Sequence, residues 1–212
     1  MSREQAVKCV ETGIGLVEDR AEDIDIAGVG EMGIGNTTTA AALLCAFTGV
    51  DPELAVGRGT GVTDAGLRRK AEVVRQGLAF HSPDPRDPIG VLAALGGFEI
   101  GGICGLLLGA AARRVPVVVD GFITTAAALM AQALAPQIRD YLFFAHLSAE
   151  SGHARMLQHL GARPLLSLGM RLGEGTGAAL GIDLIEAGVR IHREMATFAE
   201  AAISTSDQSP AV

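Results

Sequence analysis

Two carboxylates stand inside glycine loops: Glu31 in GVGEMGIGNTT, residues 28–38, and Glu174 in GEGTG, residues 173–177. From Gly30 to Thr37 the spacing is Gly, four residues, Gly, one residue, Thr, which is that of a phosphate-cradling loop. Asn36, however, stands where a nucleotide triphosphatase needs Lys. A near-copy of the second loop, GRGTG, occupies residues 57–61. Alternating glycines let backbone N–H groups converge on an anion, because no Cβ blocks the approach. A helix starting just after Gly177 would add its positive end. Three such loops in one chain point to a phosphate or phosphoribose site. Taken singly, Gly33 or Gly57 reads more simply as a tight turn.

A carboxylate in such a loop repels a phosphate unless it has another task. Beside a ribose anomeric centre it can accept a proton from an incoming nitrogen nucleophile, or stabilise positive charge developing on the sugar. Capping of the following helix is the alternative for both Glu31 and Glu174. Lys70, in LRRK, either supplies the cation missing at Asn36 or belongs to a solvated helix face with Arg68 and Arg69. Asp120 ends VPVVVD just before Gly121, a position for a ligand contact or a helix cap. His81, His146, His153, His159 and His192 have no compact ligand spacing, so no metal is expected. His146 and His153 lie near a strand end and read as hydrogen-bonded structural histidines. The stretch HLSAESGH around Ser148 lacks the G-x-S-x-G elbow of a serine nucleophile.

The elements that must hold these residues alternate. DIDIAGVG (residues 23–30) precedes NTTTAAALLCAF, VPVVVD precedes GFITTAAALMAQALA, DYLFFAH precedes SGHARMLQHLG, and RPLLSLGM precedes GEGTGAALGIDLIEAGVRI. Short apolar β-rich runs alternating with longer helices predict a Rossmann-like parallel sheet with helices on both faces, a three-layer α/β/α fold. Ligands in such sheets bind at the carboxyl ends of the strands, where all three glycine loops are expected. Residues 1–22 are expected as an N-terminal helix with Ala6, Val10, Ile14 and Val17 on one face, weakened by Gly13 and Gly15. Residues 23–203 form a single α/β phosphoribosyl-binding core, and 204–212 a disordered tail. Residues 61–81 read as a surface helix and 89–114 as a helical hairpin.

The totals narrow the function. A chain of 212 residues, 49% hydrophobic with 28 glycines, suits one packed α/β core. A net charge of −7 disfavours nucleic acid as a partner. Cys9, Cys45 and Cys104 lack C-x-x-C spacing, and SREQAVKC carries charges where a signal peptide has an apolar core, so a cytoplasmic location is expected. IGGICGLLLGAAA, residues 100–112, is too short to span a bilayer and reads as a buried helix, with no membrane role.

With GEMGIGNTTTAAAL, GRGTGVTDAGLRRK, GGFEIGGICG, VPVVVDGFITTAAAL and RLGEGTGAAL in this order, the chain closely resembles the nicotinate-nucleotide:dimethylbenzimidazole phosphoribosyltransferase family of cobalamin nucleotide-loop assembly, from about Asp23 onward. The resemblance implies a Rossmann-like homodimer with no metal or other cofactor. Its reaction moves phosphoribose from nicotinate mononucleotide to 5,6-dimethylbenzimidazole, giving α-ribazole phosphate and nicotinate. By the same resemblance Glu174 is the catalytic base and Glu31 a second catalytic carboxylate. Gly33, Gly35, Asn36, Thr37, Gly59, Lys70, Asp120, Gly173, Thr176 and Gly177 are the expected substrate-binding residues. Family members are longer, with an N-terminal region that supplies part of the pocket for the benzimidazole-type base. That wall is therefore expected from a segment or partner outside this core. A non-catalytic or partner-dependent nucleotide-binding subunit, or transfer to another base, are the alternatives. The small-residue helix around residues 100–112 is either a dimer interface or intramolecular core.

Overall fold

Four short apolar runs become strands β1 (Ala27–Val29), β2 (Val117–Val119), β3 (Leu142–His146) and β4 (Pro164–Leu166) in a computed structural model that describes residues 1–59 and 61–203. The tail expected over 204–212 lies outside the described residues. All pairings are parallel, in the order β1-β2-β3-β4. Parallel neighbours cannot be joined by a hairpin, so each connection crosses a face of the sheet. Between β1 and β2 run α2 (Thr37–Thr48), α3 (Pro52–Ala55), α4 (Asp64–His81), α5 (Pro88–Leu95) and α6 (Phe98–Ala112). Helix α7 (Phe122–Leu134) joins β2 to β3, α8 (His153–His159) joins β3 to β4, and α9 (Thr176–Glu194) follows β4.

The side-chain period of a strand sorts these helices into two layers. Val117, Val119 and Phe144 face the larger core with α2, α6 and α7, whereas Val118 and Ala145 face Ala178, Ile182 and Ile185 of α9. Helices thus cover both faces, as the alternating sequence predicts. All three residues of β2 are buried, which suits a strand covered on both sides.

The N-terminal helix α1 (Arg3–Glu18) opens with a reciprocal cap between Ser2 and Gln5. Gly13 does not weaken it. A Cβ there would overlap the Gly102 carbonyl oxygen of α6, and one at Gly109 would lie 3.0 Å from the Ile14 carbonyl oxygen. The small residues of α6 therefore let two helix backbones touch, and this seam is intramolecular core. No helix among the described residues is long and apolar enough to cross a membrane.

Candidate active site

The carboxyl ends of the four strands open into one cavity of about 620 Å³, a volume that suits a nucleotide-sized ligand. The β1 loop contributes Glu31, Met32, Gly33 and Ile34, with Thr37 at the start of α2. Asp120 to Thr124 come from the end of β2 and the start of α7, and His146, Ser148 and Glu150 from the end of β3. Arg171 to Glu174 arrive after β4.

The first and third glycine loops are locked backbone to backbone. The Glu174 amide donates to the Glu31 carbonyl at 2.9 Å, and a Cβ on Gly30 would overlap the Gly175 amide. Gly173, Glu174 and Gly175 all have positive φ, at 78°, 60° and 81°. Two of these are glycine, for which the conformation is inexpensive. Glu174 carries a Cβ into the left-handed region at a cost of about 1 kcal/mol or more, the kind of local strain that clusters at functional sites. Its side chain is exposed to the cavity and caps no helix. Glu31 instead accepts from the Gly33 amide within its own loop.

Asp120 holds the other side of the Glu174 segment. It is 1% exposed; Oδ2 accepts from the Gly175 amide at 3.0 Å and Oδ1 from the Gly177 amide at 2.8 Å. It thus caps α9 across the sheet rather than the helix that follows it in sequence. Burial pushes its carboxyl up, but the contact with His146 and the two amides outweigh burial and leave it below the usual carboxylate range. Gly177 has no room for a side chain, since a Cβ would overlap Asp120 and His146. The Thr176 hydroxyl donates to the Gly173 carbonyl at 2.8 Å and closes the loop from inside.

The second glycine loop follows α3 and not a strand, contrary to its expected place, yet Gly59 in the α3–α4 connection reaches the same cavity. Lys70 Nζ donates to the Thr37 hydroxyl at 2.8 Å and the Gly57 carbonyl at 3.1 Å. It sits within van der Waals reach of a Cβ built on Gly59. Half-burial pushes the Lys70 ammonium down, and the nearby Glu150 charge opposes that shift. Arg171 Nη1 donates to the Gly59 carbonyl at 3.3 Å from the opposite rim. The second loop is therefore flanked by two cations, with Thr37 beside it.

Of the expected residues, Glu31, Gly33, Thr37, Gly59, Asp120, Gly173 and Glu174 line the cavity. Lys70, Thr176 and Gly177 stand just behind its wall, contacting the lining residues Thr37, Gly173 and Asp120. Gly35 is exposed with φ 83° at the loop tip. Asn36 turns away: its Nδ2 donates to Glu99 Oε1 at 3.2 Å, so it ties the β1 loop to α6. His146, Ser148, Glu150 and Arg171 are cavity residues that spacing did not single out for ligand contact. Their only signal was position at the end of β3 or just after β3 and β4. Among the described residues, no three His, Cys, Asp or Glu side chains group as a metal site.

The phosphoribosyltransferase family model matches residues 1–203. The chain is 57% identical over 208 residues to nicotinate-nucleotide–dimethylbenzimidazole phosphoribosyltransferase of Geobacter sulfurreducens, covering 98% of this chain and 59% of that protein. It is 55% identical over 205 residues to the protein of the same name from Desulforudis audaxviator, covering 96% of this chain and 58% of that one. Among solved structures, CobT from Thermus thermophilus superposes with a TM-score of 0.91 at 46% identity, over 97% of this chain and 62% of the other. The chain thus spans about three fifths of the length of these relatives. Sequence, fold and the glycine-loop cavity agree, and the chain belongs to the phosphoribosyltransferase family that includes the nicotinate-nucleotide–dimethylbenzimidazole phosphoribosyltransferases.

Proposed function

We propose that this chain binds nicotinate mononucleotide and transfers its phosphoribosyl group to 5,6-dimethylbenzimidazole, releasing nicotinate and α-ribazole phosphate for cobalamin assembly. The observation that carries the reading is the strained Glu174, held between two glycines at the mouth of a cavity whose far side offers cations for a phosphate. The phosphate lies at the second loop, facing Thr37 and Gly59, with Lys70 and Arg171 on either side. The ribose lies between that subsite and Glu31. Apolar Met32, Ile34 and Leu172 at the rim suit a flat aromatic base.

The unprotonated ring nitrogen of the benzimidazole attacks the anomeric carbon. The carbon–nitrogen bond to nicotinate breaks, with its electron pair returning to the pyridine nitrogen. Glu174 takes the proton from the other benzimidazole nitrogen, so charge balances without a phosphate leaving group. Positive charge builds on the sugar between ground state and transition state, so Glu31 stabilises the latter more. Residues 23–203 serve as the phosphoribosyl-binding unit, with the segment of residues 1–22, which carries α1, seated on it. The proposed setting is a cytoplasmic homodimer. Its supports are three unpaired cysteines and the exposed Leu180, Leu184 and Ile191 of α9, surface that a second copy would bury.

Incubating the chain with both substrates and separating products by chromatography tests the reading. Nicotinate and α-ribazole phosphate in equal amounts are expected. Tight nicotinate mononucleotide binding with no product at high protein concentration would favour the nucleotide-binding subunit instead.

A further inference from the structure

The most conspicuous unexplained group in the cavity wall is His146. Its side chain is 2% exposed, and neither ring nitrogen has a well-aligned hydrogen-bond partner among the described residues. A buried polar ring left unpaired is costly, so its retention needs a reason. From β2, Asp120 Oδ1 faces its Nε2 at 3.3 Å, near enough for a hydrogen on that nitrogen to favour the carboxylate, though off the line of a good hydrogen bond. From α8, His153 stands 6.3 Å away between ring centres, and from the start of α9 Gly177 presses on the ring. The remaining charged groups on the same cavity are Glu31, Glu150, Arg171 and Glu174.

His153 cannot share the task. Its Nδ1 accepts from the Ser148 amide at 2.8 Å, so the ring hydrogen sits on Nε2, 2.9 Å from the Thr125 hydroxyl. That hydroxyl donates onward to the Gly121 carbonyl at 2.7 Å. Both nitrogens of His153 are committed in the neutral ring, and burial, with the nearby His146 adding to it, pushes its pKa down to about 3. Between the two histidines, His146 is left as the one whose ring N–H can face the buried Asp120 carboxylate directly.

We propose that His146 is a positioning residue for Glu174: it keeps Asp120 ionised and turned to the Gly175 and Gly177 amides, and thereby fixes the left-handed segment that presents Glu174 to the cavity. The inference rests on the reading of Glu174 as the base. A carboxylate accepts from both amides at once, one on each oxygen. Without a donor N–H facing it, burial drives such a group to take a proton. The protonated oxygen would then set an O–H against an amide N–H, donor against donor, and one of the two bonds would be lost. The segment from Gly173 to Gly175 would relax from its strained conformation.

The test compares His146→Phe, a ring of similar size without nitrogens, with His146→Gln, which keeps an N–H donor. Backbone amide hydrogen exchange by NMR reads the clamp without any turnover, so it stands even if the transfer reaction itself fails. In His146→Phe the Gly175 and Gly177 amides are expected to exchange about 10-fold faster or more, as loss of a charge-assisted bond requires. Amides of Ala127 and Leu129 in α7 should keep their protection, and His146→Gln should restore the two glycines. Where turnover is measured, kcat should fall in His146→Phe with the KM for nicotinate mononucleotide nearly unchanged, and recover in His146→Gln. Unchanged protection of both glycines in His146→Phe overturns the proposal, as does a loss spread evenly over α7. If the phenylalanine variant does not fold, His146→Leu, which is smaller, replaces it with the same two outcomes.

Discussion

Replacing Glu174 by glycine and by alanine separates backbone strain from chemistry, because both remove the carboxylate but only one removes the Cβ. In the native chain Glu174 has φ 60°, flanked by two glycines of the same hand. An L-residue in that region pays about 1–2 kcal/mol, and alanine pays it as glutamate does. Glycine escapes the penalty but loses about 0.4–1 kcal/mol through the greater freedom of its unfolded chain. The difference leaves Glu174→Gly more stable than Glu174→Ala by about 0.5–1 kcal/mol, or roughly 2 °C in Tm for a chain of this size. At a position with ordinary negative φ the order is reversed, since glycine there is worse than alanine by about 0.5–1 kcal/mol. The sign alone is therefore decisive. Urea unfolding of the two variants at neutral pH, with matched slopes, gives the comparison. An alanine variant more stable than the glycine variant would refute both the left-handed assignment and the idea that strain is stored there for function.

Further outcomes are equally specific. Gly13→Ala drives a Cβ into the Gly102 carbonyl, and a clash between two helix backbones cannot be relieved by a rotamer change; urea unfolding should show a loss of about 2 kcal/mol or more. Acidification should destabilise the fold through His153, whose folded pKa of about 3 lies below its ordinary 6.5. The unfolded chain binds this proton first, so stability present above pH 6.5 falls by about 1.4 kcal/mol per pH unit below it. His153→Asn should flatten the pH dependence of the urea midpoint between about pH 6.5 and 5, and an equal slope in both proteins would contradict this. Lys70→Ala should weaken nicotinate mononucleotide binding by about 10-fold or more, measured by calorimetry, because it removes the cation behind Thr37 and Gly59, where the phosphate is proposed to lie.

The sheet was legible because each strand is a short apolar run followed by a helix-forming stretch, and the first two runs are closed by Gly30 and Asp120. The loops at Gly30 and Gly173 were legible because only glycine permits two backbones to approach as these do, and such positions leave a mark in composition. The route of GRGTG was not, since whether a loop follows a strand or a short helix such as α3 depends on how α3 and α4 cross. Asn36 gave no hint of Glu99, which lies on another helix, as a partner distant in sequence leaves no local spacing. His146 and Glu150 were missed for a related reason. A buried polar residue looks alike in sequence whether it is satisfied by a neighbour, as His153 is, or left facing a cavity. Gly13 was misjudged because helix propensity counts the cost of glycine and not the packing against α6 that requires it.

The central claim is that Glu174 removes the acceptor's proton while other groups bind the nucleotide. Glu174→Gln preserves size and the strained backbone but cannot act as a base. One preparation of each protein should be measured for the nicotinate mononucleotide Kd and for nicotinate release in the presence of 5,6-dimethylbenzimidazole. The expected result is a Kd unchanged within a few-fold, with release slowed by about 100-fold or more, the range for loss of a general base. Release by Glu174→Gln at the wild-type rate would contradict the assignment outright.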